Sequence, residues 1–135
     1  MCGQAGGRAG VSIERVAVNL MEAKAPDNAG VVHLGDAIEP HGPGAYFATY
    51  PYRAMLAALQ KAEIPATYSF TAGCYLCNCV MYRALHLAAT ELPGMRAGFI
   101  HLPYLPEQTA EKPSLPLETM VEALTVLVRT IAENE

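Results

Sequence analysis

Four cysteines, at positions 2, 74, 77 and 79, and four histidines, at 33, 41, 86 and 101, carry the reactive chemistry available to this 135-residue chain. A thiol attacks a carbonyl carbon when a base takes its proton and a nearby positive charge or helix end stabilises the thiolate. Cys77 has that setting. It follows the turn Thr71-Ala72-Gly73 and opens a segment with helical periodicity, so it falls in the first turn of a predicted helix. Unpaired amides and the positive end of the helix dipole favour a thiolate there and can face an oxyanion. Cys74 lies in the turn. Cys79, two positions beyond Cys77, faces away from it on a helix. The plainer alternative for Cys77 is a cysteine buried for packing.

His101 is the natural base, because it closes the apolar run 98–102 just before Pro103. A packed core histidine is the plainer reading. His33 and His41 fall in an irregular stretch, and His86 lies well inside a predicted helix. A carboxylate that orients the imidazole completes such a pair. Glu14, Asp27, Glu107 and Glu111 are all open to that role by spacing alone. Cys74-x-x-Cys77 has zinc-ligand spacing, yet no second pair follows it. A small metal-binding module is therefore the lesser reading, and no metal or other cofactor is expected.

The hydrophobic content of 52% calls for a cored domain, and 135 residues suit one domain rather than two. A net charge of −4 and no lysine–arginine block argue against a nucleic-acid partner and give no support to membrane binding. The opening Met1-Cys2-Gly3-Gln4-Ala5-Gly6-Gly7-Arg8 has no signal-peptide core, and no apolar run reaches the ~18 residues that a span needs. A cytoplasmic protein without a disulfide scaffold is the expectation.

Residues 3–10 read as a tight glycine loop and 15–20 as a short strand. Residues 25–44 read as a long loop, and 46–49 as a brief extended piece. Pro51 opens a helix with Tyr52, Met55, Leu56, Leu59 and Ala62 on one face, ended by Ile64-Pro65. A strand over 66–70 precedes the turn. A helix over 77–92 follows, striped by Val80, Ala84, Leu87 and Ala88 and widened by Met81 and Leu85. After the strand 98–102, a last helix buries Met120, Val121, Leu124, Leu127, Val128 and Ile131, with Ser114 as a cap and Pro116 in its first turn. This alternation predicts an α/β fold, a three-layer α/β/α domain with a largely parallel sheet, whose chemistry lies beyond the carboxyl ends of the strands. The abrupt start implies a domain (1–135) truncated at the amino terminus.

The segments Gly3-Gln4-Ala5-Gly6-Gly7-Arg8, Glu14-Arg15-Val16-Ala17-Val18-Asn19-Leu20 and Pro26-Asp27-Asn28 have a counterpart in a known family. So do Thr71-Ala72-Gly73-Cys74-Tyr75-Leu76-Cys77-Asn78 and the run from Gly98-Phe99-Ile100-His101 to Pro106-Glu107-Gln108. In this order they resemble the pyroglutamyl-peptidase type I, or pyrrolidone-carboxylate peptidase, family. The resemblance implies a cysteine peptidase that removes an amino-terminal pyroglutamyl residue from peptides, with Glu14, Cys77 and His101 as its triad. It implies that the loop of Gln4 and Gly6 lies near the lactam and that Tyr75 lines its pocket. Lys24 stands where the family often has an arginine supporting the oxyanion or its loop, and lysine lacks the planar fork. The resemblance also implies self-association into a homo-oligomer, and a missing amino-terminal section that supplies part of the pocket. A chain inactive for want of that section is the alternative.

Overall fold

A computed structural model of the chain describes residues 1–134. The strands are β1 (Cys2–Gln4), β2 (Val11–Glu14), β3 (Val16–Val18), β4 (Met21–Glu22), β5 (Leu34–Asp36), β6 (Ala45–Phe47), β7 (Ala66–Ser69) and β8 (Ile100–Leu102). The helices are α1 (Tyr52–Lys61), α2 (Leu76–Thr90) and α3 (Leu117–Glu133), with a 3-10 turn at Pro106–Gln108. The class is α/β, as the alternation predicts. The chain falls into two compact units, one formed by residues 2–13, 50–69 and 100–134, the other by residues 14–49 and 70–99 with Met1.

The first unit is built on a four-stranded sheet in the order β1-β8-β2-β7. The sheet is mixed. β1 runs parallel to β8, and β2 runs antiparallel to it with Ser12 opposite His101. Residues 3–10 are therefore not all loop, since β1 occupies the start of that stretch. β2 lies outside the strand expected at 15–20, and all four of its residues are buried. Val11-Ser12-Ile13-Glu14 does alternate apolar and polar residues, but four residues are too short a run to set a strand apart from the glycine-rich stretch before it.

Helix α1 packs against β7 and α3. Met55 and Leu59 form its fully buried line. Its end is a Schellman turn: Ile64 N–H donates to Leu59 O and Glu63 N–H to Gln60 O, both at 3.0 Å, with Glu63 at φ 57°. Helix α3 buries Met120, Ala123, Leu127 and Thr130, whereas Val121 and Val128 are exposed. An apolar residue on nearly every side of α3 leaves its rotation undetermined by pattern, and small residues on the inward line allow close packing. Pro116 precedes the helix as its cap, and Ser114 does not cap it.

In the second unit, α2 packs on the antiparallel pair β3/β6, and β4 pairs with β5. Its buried line is Asn78, Met81, Tyr82, Leu85 and Ala88. The expected stripe is rotated, because Val80 and Leu87 are exposed. The long segment 25–44 is held by side chains. Asn19 accepts from Glu39 N–H and donates to Glu39 O and Gly42 O, at 2.9, 2.8 and 3.3 Å. From α2, Tyr82 donates to Pro43 O and Arg83 to Ile38 O, at 2.7 and 2.8 Å. Among the described residues no helix is long and apolar enough to cross a membrane.

Candidate active site

Burial sorts the titratable candidates. Glu14 is 0% exposed and His101 3%, and among the described residues no other carboxylate or imidazole is buried. Glu107 and Glu111 are exposed. Asp27 is committed to its own turn, where one carboxylate oxygen accepts from Ala29 and Val31 N–H at 2.8 and 2.9 Å. A charged group is taken out of water only at a large cost, so a buried carboxylate and a buried imidazole have a specific use in folding or chemistry.

His101 is the middle residue of β8, with Gly3 opposite it on β1 and Ser12 opposite it on β2. Directly opposed residues share a face of the sheet. Two small neighbours leave room there for an imidazole. Glu14 ends β2 and donates its backbone N–H to Phe99 O at 3.0 Å. Glu14, Cys77, Tyr75 and Lys24 belong to the second unit, whereas His101, Gln4 and Gly6 belong to the first.

Cys77 is the second residue of α2, after the cap Tyr75 and Leu76, and is half-buried. The first turn of α2 contains no acidic residue to oppose its dipole. What orients this turn is the residue beside the cysteine. Asn78, 1% exposed, accepts from Val18 N–H and donates to Val18 O and Leu20 O, at 2.9, 2.9 and 3.1 Å. Residue spacing alone does not mark Asn78 as an anchor. A signal was present: Asn78 is in register with Met81, Tyr82 and Leu85, so a carboxamide begins an apolar line, and a buried carboxamide requires partners. The turn before α2 is fastened to β4, since Cys74 O accepts from Glu22 N–H at 2.8 Å.

The loop residues have clear local roles. Gln4 donates to Gln108 Oε1 at 2.6 Å, and the same oxygen accepts from Leu105 N–H at 2.8 Å. Gln108 thereby ties the end of β1 to the 3-10 turn, a function that spacing did not reveal. Gly6 lies so close to the Tyr104 ring that a methyl group would collide with it. Tyr75 caps α2 and accepts from Cys79 N–H at 2.9 Å, and Lys24 is exposed. Among the described residues no group of three or more His, Cys, Asp or Glu side chains could hold a metal ion.

Comparison with known proteins accounts for this arrangement. The pyroglutamyl peptidase family profile matches residues 1–134. The chain is 48% identical over 132 residues to a pyrrolidone-carboxylate peptidase of Levilactobacillus brevis, covering 96% of this chain and 65% of that one. It is 46% identical to the Streptomyces coelicolor protein of the same name, covering 98% and 64%. Among solved structures, pyrrolidone carboxyl peptidase from the hyperthermophile Pyrococcus furiosus superposes with a TM-score of 0.93 at 41% identity, over 98% of this chain and 67% of that one. Pyroglutamyl peptidase I from Bacillus amyloliquefaciens superposes at 0.92 with 42% identity, over 97% and 63%. The chain therefore has the α/β fold of these peptidases, and it belongs to the pyroglutamyl peptidase family. It spans 65% and 64% of the length of the two curated relatives named here.

Proposed function

We propose that the protein is a cysteine peptidase that hydrolyses the bond after an amino-terminal pyroglutamyl residue, with Cys77 as nucleophile, His101 as acid and base, and Glu14 as the carboxylate that orients His101. One observation carries the assignment. Within a chain that matches the family over residues 1–134, Glu14 and His101 are the buried carboxylate and the buried imidazole of the described residues.

In this reaction the Cys77 thiolate attacks the pyroglutamyl carbonyl carbon, and backbone N–H groups of the first turn of α2 donate to the oxyanion. The carbon–nitrogen bond breaks as the imidazolium of His101 gives its proton to the departing amine. Water, deprotonated by His101, then cleaves the thioester and restores the thiol. Glu14 holds the ring and stabilises its charged form. The loop of Gln4 and Gly6, with Tyr75, forms part of the lactam pocket. Lys24 supports the oxyanion or its loop as a point charge. Residues 1–135 are taken as one domain, in the cytoplasm, with self-association proposed alongside and read by light scattering.

The shorter span relative to the relatives favours a second reading, in which these residues supply the chemistry but an incomplete substrate pocket. Release of aminocoumarin from its pyroglutamyl amide separates the two. Turnover that disappears in Cys77→Ala supports the peptidase, and no turnover in the unaltered protein supports the incomplete pocket.

A further inference from the structure

The proposed reaction uses one of the three cysteines at the mouth of α2 and leaves Cys74 and Cys79 without a role. Tyr75 caps the helix, so Cys74 stands one residue before the cap and Cys79 is the fourth residue of the helix. These are the two positions whose side chains meet across a first helical turn and fix the angle at which the chain enters. In most helices that use the device both residues are apolar. Here both are thiols.

The local backbone holds the pair in place. Cys79 N–H donates to Tyr75 O at 2.9 Å, and Cys74 O accepts from Glu22 N–H at 2.8 Å. Both thiols are half-buried, and neither is in a disulfide. Burial raises the proton affinity of Cys79; Arg83, one turn along, lowers it, and the Cys74 sulfur raises it further, so the two thiols sense each other. Cys77 lies two positions from Cys79 and faces another direction.

We propose that Cys74 and Cys79 form a reversible disulfide that clamps the entrance of α2 while leaving the Cys77 thiol intact. The oxidant is a low-molecular-weight disulfide of the glutathione type. Cys74, in the turn before the helix, attacks first. Its thiolate displaces one small thiolate and forms a mixed disulfide. The Cys79 thiolate then attacks the Cys74 sulfur and releases the second small thiolate. Two protein thiols give up two electrons and two protons, and one small disulfide becomes two small thiols. The bond would fix the turn 71–75, which carries the proposed pocket residue Tyr75. That consequence for activity rests on the peptidase reading, whereas the disulfide does not.

The test uses Cys2→Ser protein, because Cys2 is exposed and could cross-link two copies. After equilibration with oxidised glutathione and quenching with N-ethylmaleimide, thiols are counted and the linkage is mapped by mass spectrometry. The proposal expects titratable thiols to fall from three to one and Cys77 to carry the maleimide. The linkage should persist in Cys77→Ala and stop at the glutathione adduct in Cys79→Ser. A linkage through Cys77, glutathione adducts without an internal bond, or three thiols remaining would each overturn it. Absence of turnover in the reduced protein would count against the peptidase reading and leave the disulfide result standing.

Discussion

The Asn78 side chain takes both the N–H and the C=O of Val18, each at 2.9 Å, as a neighbouring strand would. A third bond to Leu20 O at 3.1 Å uses the remaining amide hydrogen. The first turn of α2 is thus fixed to the end of β3 one residue after Cys77, and the backbone of the proposed nucleophile is placed by its neighbour.

Replacing Asn78 by alanine leaves half-buried peptide groups of Val18 and Leu20 without these partners. The expected loss is about 2–4 kcal/mol of stability, read from urea unfolding. Asn78→Asp should lose at least as much, because a carboxylate cannot donate to the two carbonyls. A change in either variant as small as that of an ordinary surface substitution would remove the anchoring role.

Gly6 and Gly10 both face neighbours too close for a side chain, but the neighbours differ. A methyl group at Gly6 meets the Tyr104 ring, and one at Gly10 meets the backbone carbonyl of Pro65. A ring can swing aside and a backbone carbonyl on β7's approach cannot without moving the strand. Gly6→Ala should cost about 1–3 kcal/mol, Gly10→Ala more, and Tyr104→Leu should rescue the first alone. The opposite ranking in thermal unfolding would contradict the packing described.

Glu63 occupies the left-handed position that ends α1, where a Cβ is unfavourable. Glu63→Gly should therefore stabilise the protein by about 0.5–1 kcal/mol, with Ile64 still buried against the helix end. A lower midpoint in urea would count against this geometry.

His33 bridges two carboxylates, with Nδ1 at 2.8 Å from Asp36 and Nε2 at 3.5 Å from Asp27. Its hydrogen bond to Asp36, then that to Asp27 and the charge of both, raises the His33 pKa above its ordinary 6.5 despite some desolvation. The Val31 N–H, with Ala29 and His33, holds Asp27 below its ordinary 3.8 against the same desolvation. The histidine contribution is complete below pH 6.5 and is lost as pH rises through the raised value. The Asp27 contribution is complete above pH 3.8 and is lost as pH falls through the lowered value. Amide protection factors of residues 27–36, corrected for intrinsic exchange at each pH, should be highest between those limits. Asp36→Asn should lower the His33 titration midpoint seen by NMR; an unchanged midpoint would contradict the bridge.

Much of this was legible in the residues. Helix α1 was, because Pro51 opens it and a single apolar line, with Met55 and Leu59, has no competitor. The turn 71–73 and the helical setting of Cys77 were legible for the same reason. β2 was not, since its alternation runs for only four residues, and the rotations of α2 and α3 were not, since apolar residues surround both helices. Spacing left four acids open beside His101. Glu14 is buried and Asp27 is bound in its own turn, a distinction that depends on where the chain folds rather than on residue order. Asn78 was visible as a residue, but its partners Leu20 and Val18 lie 58 and 60 positions away.

The most direct test of the central claim is the rate at which iodoacetamide modifies Cys77 at neutral pH, followed by mass spectrometry in the unaltered protein and in His101→Gln. It needs no substrate pocket. Activation of the sulfur by the imidazole predicts that the rate falls at least about tenfold in the variant while Cys2 reacts as before. Equal rates at Cys77 in two folded proteins would contradict the assignment of this pair.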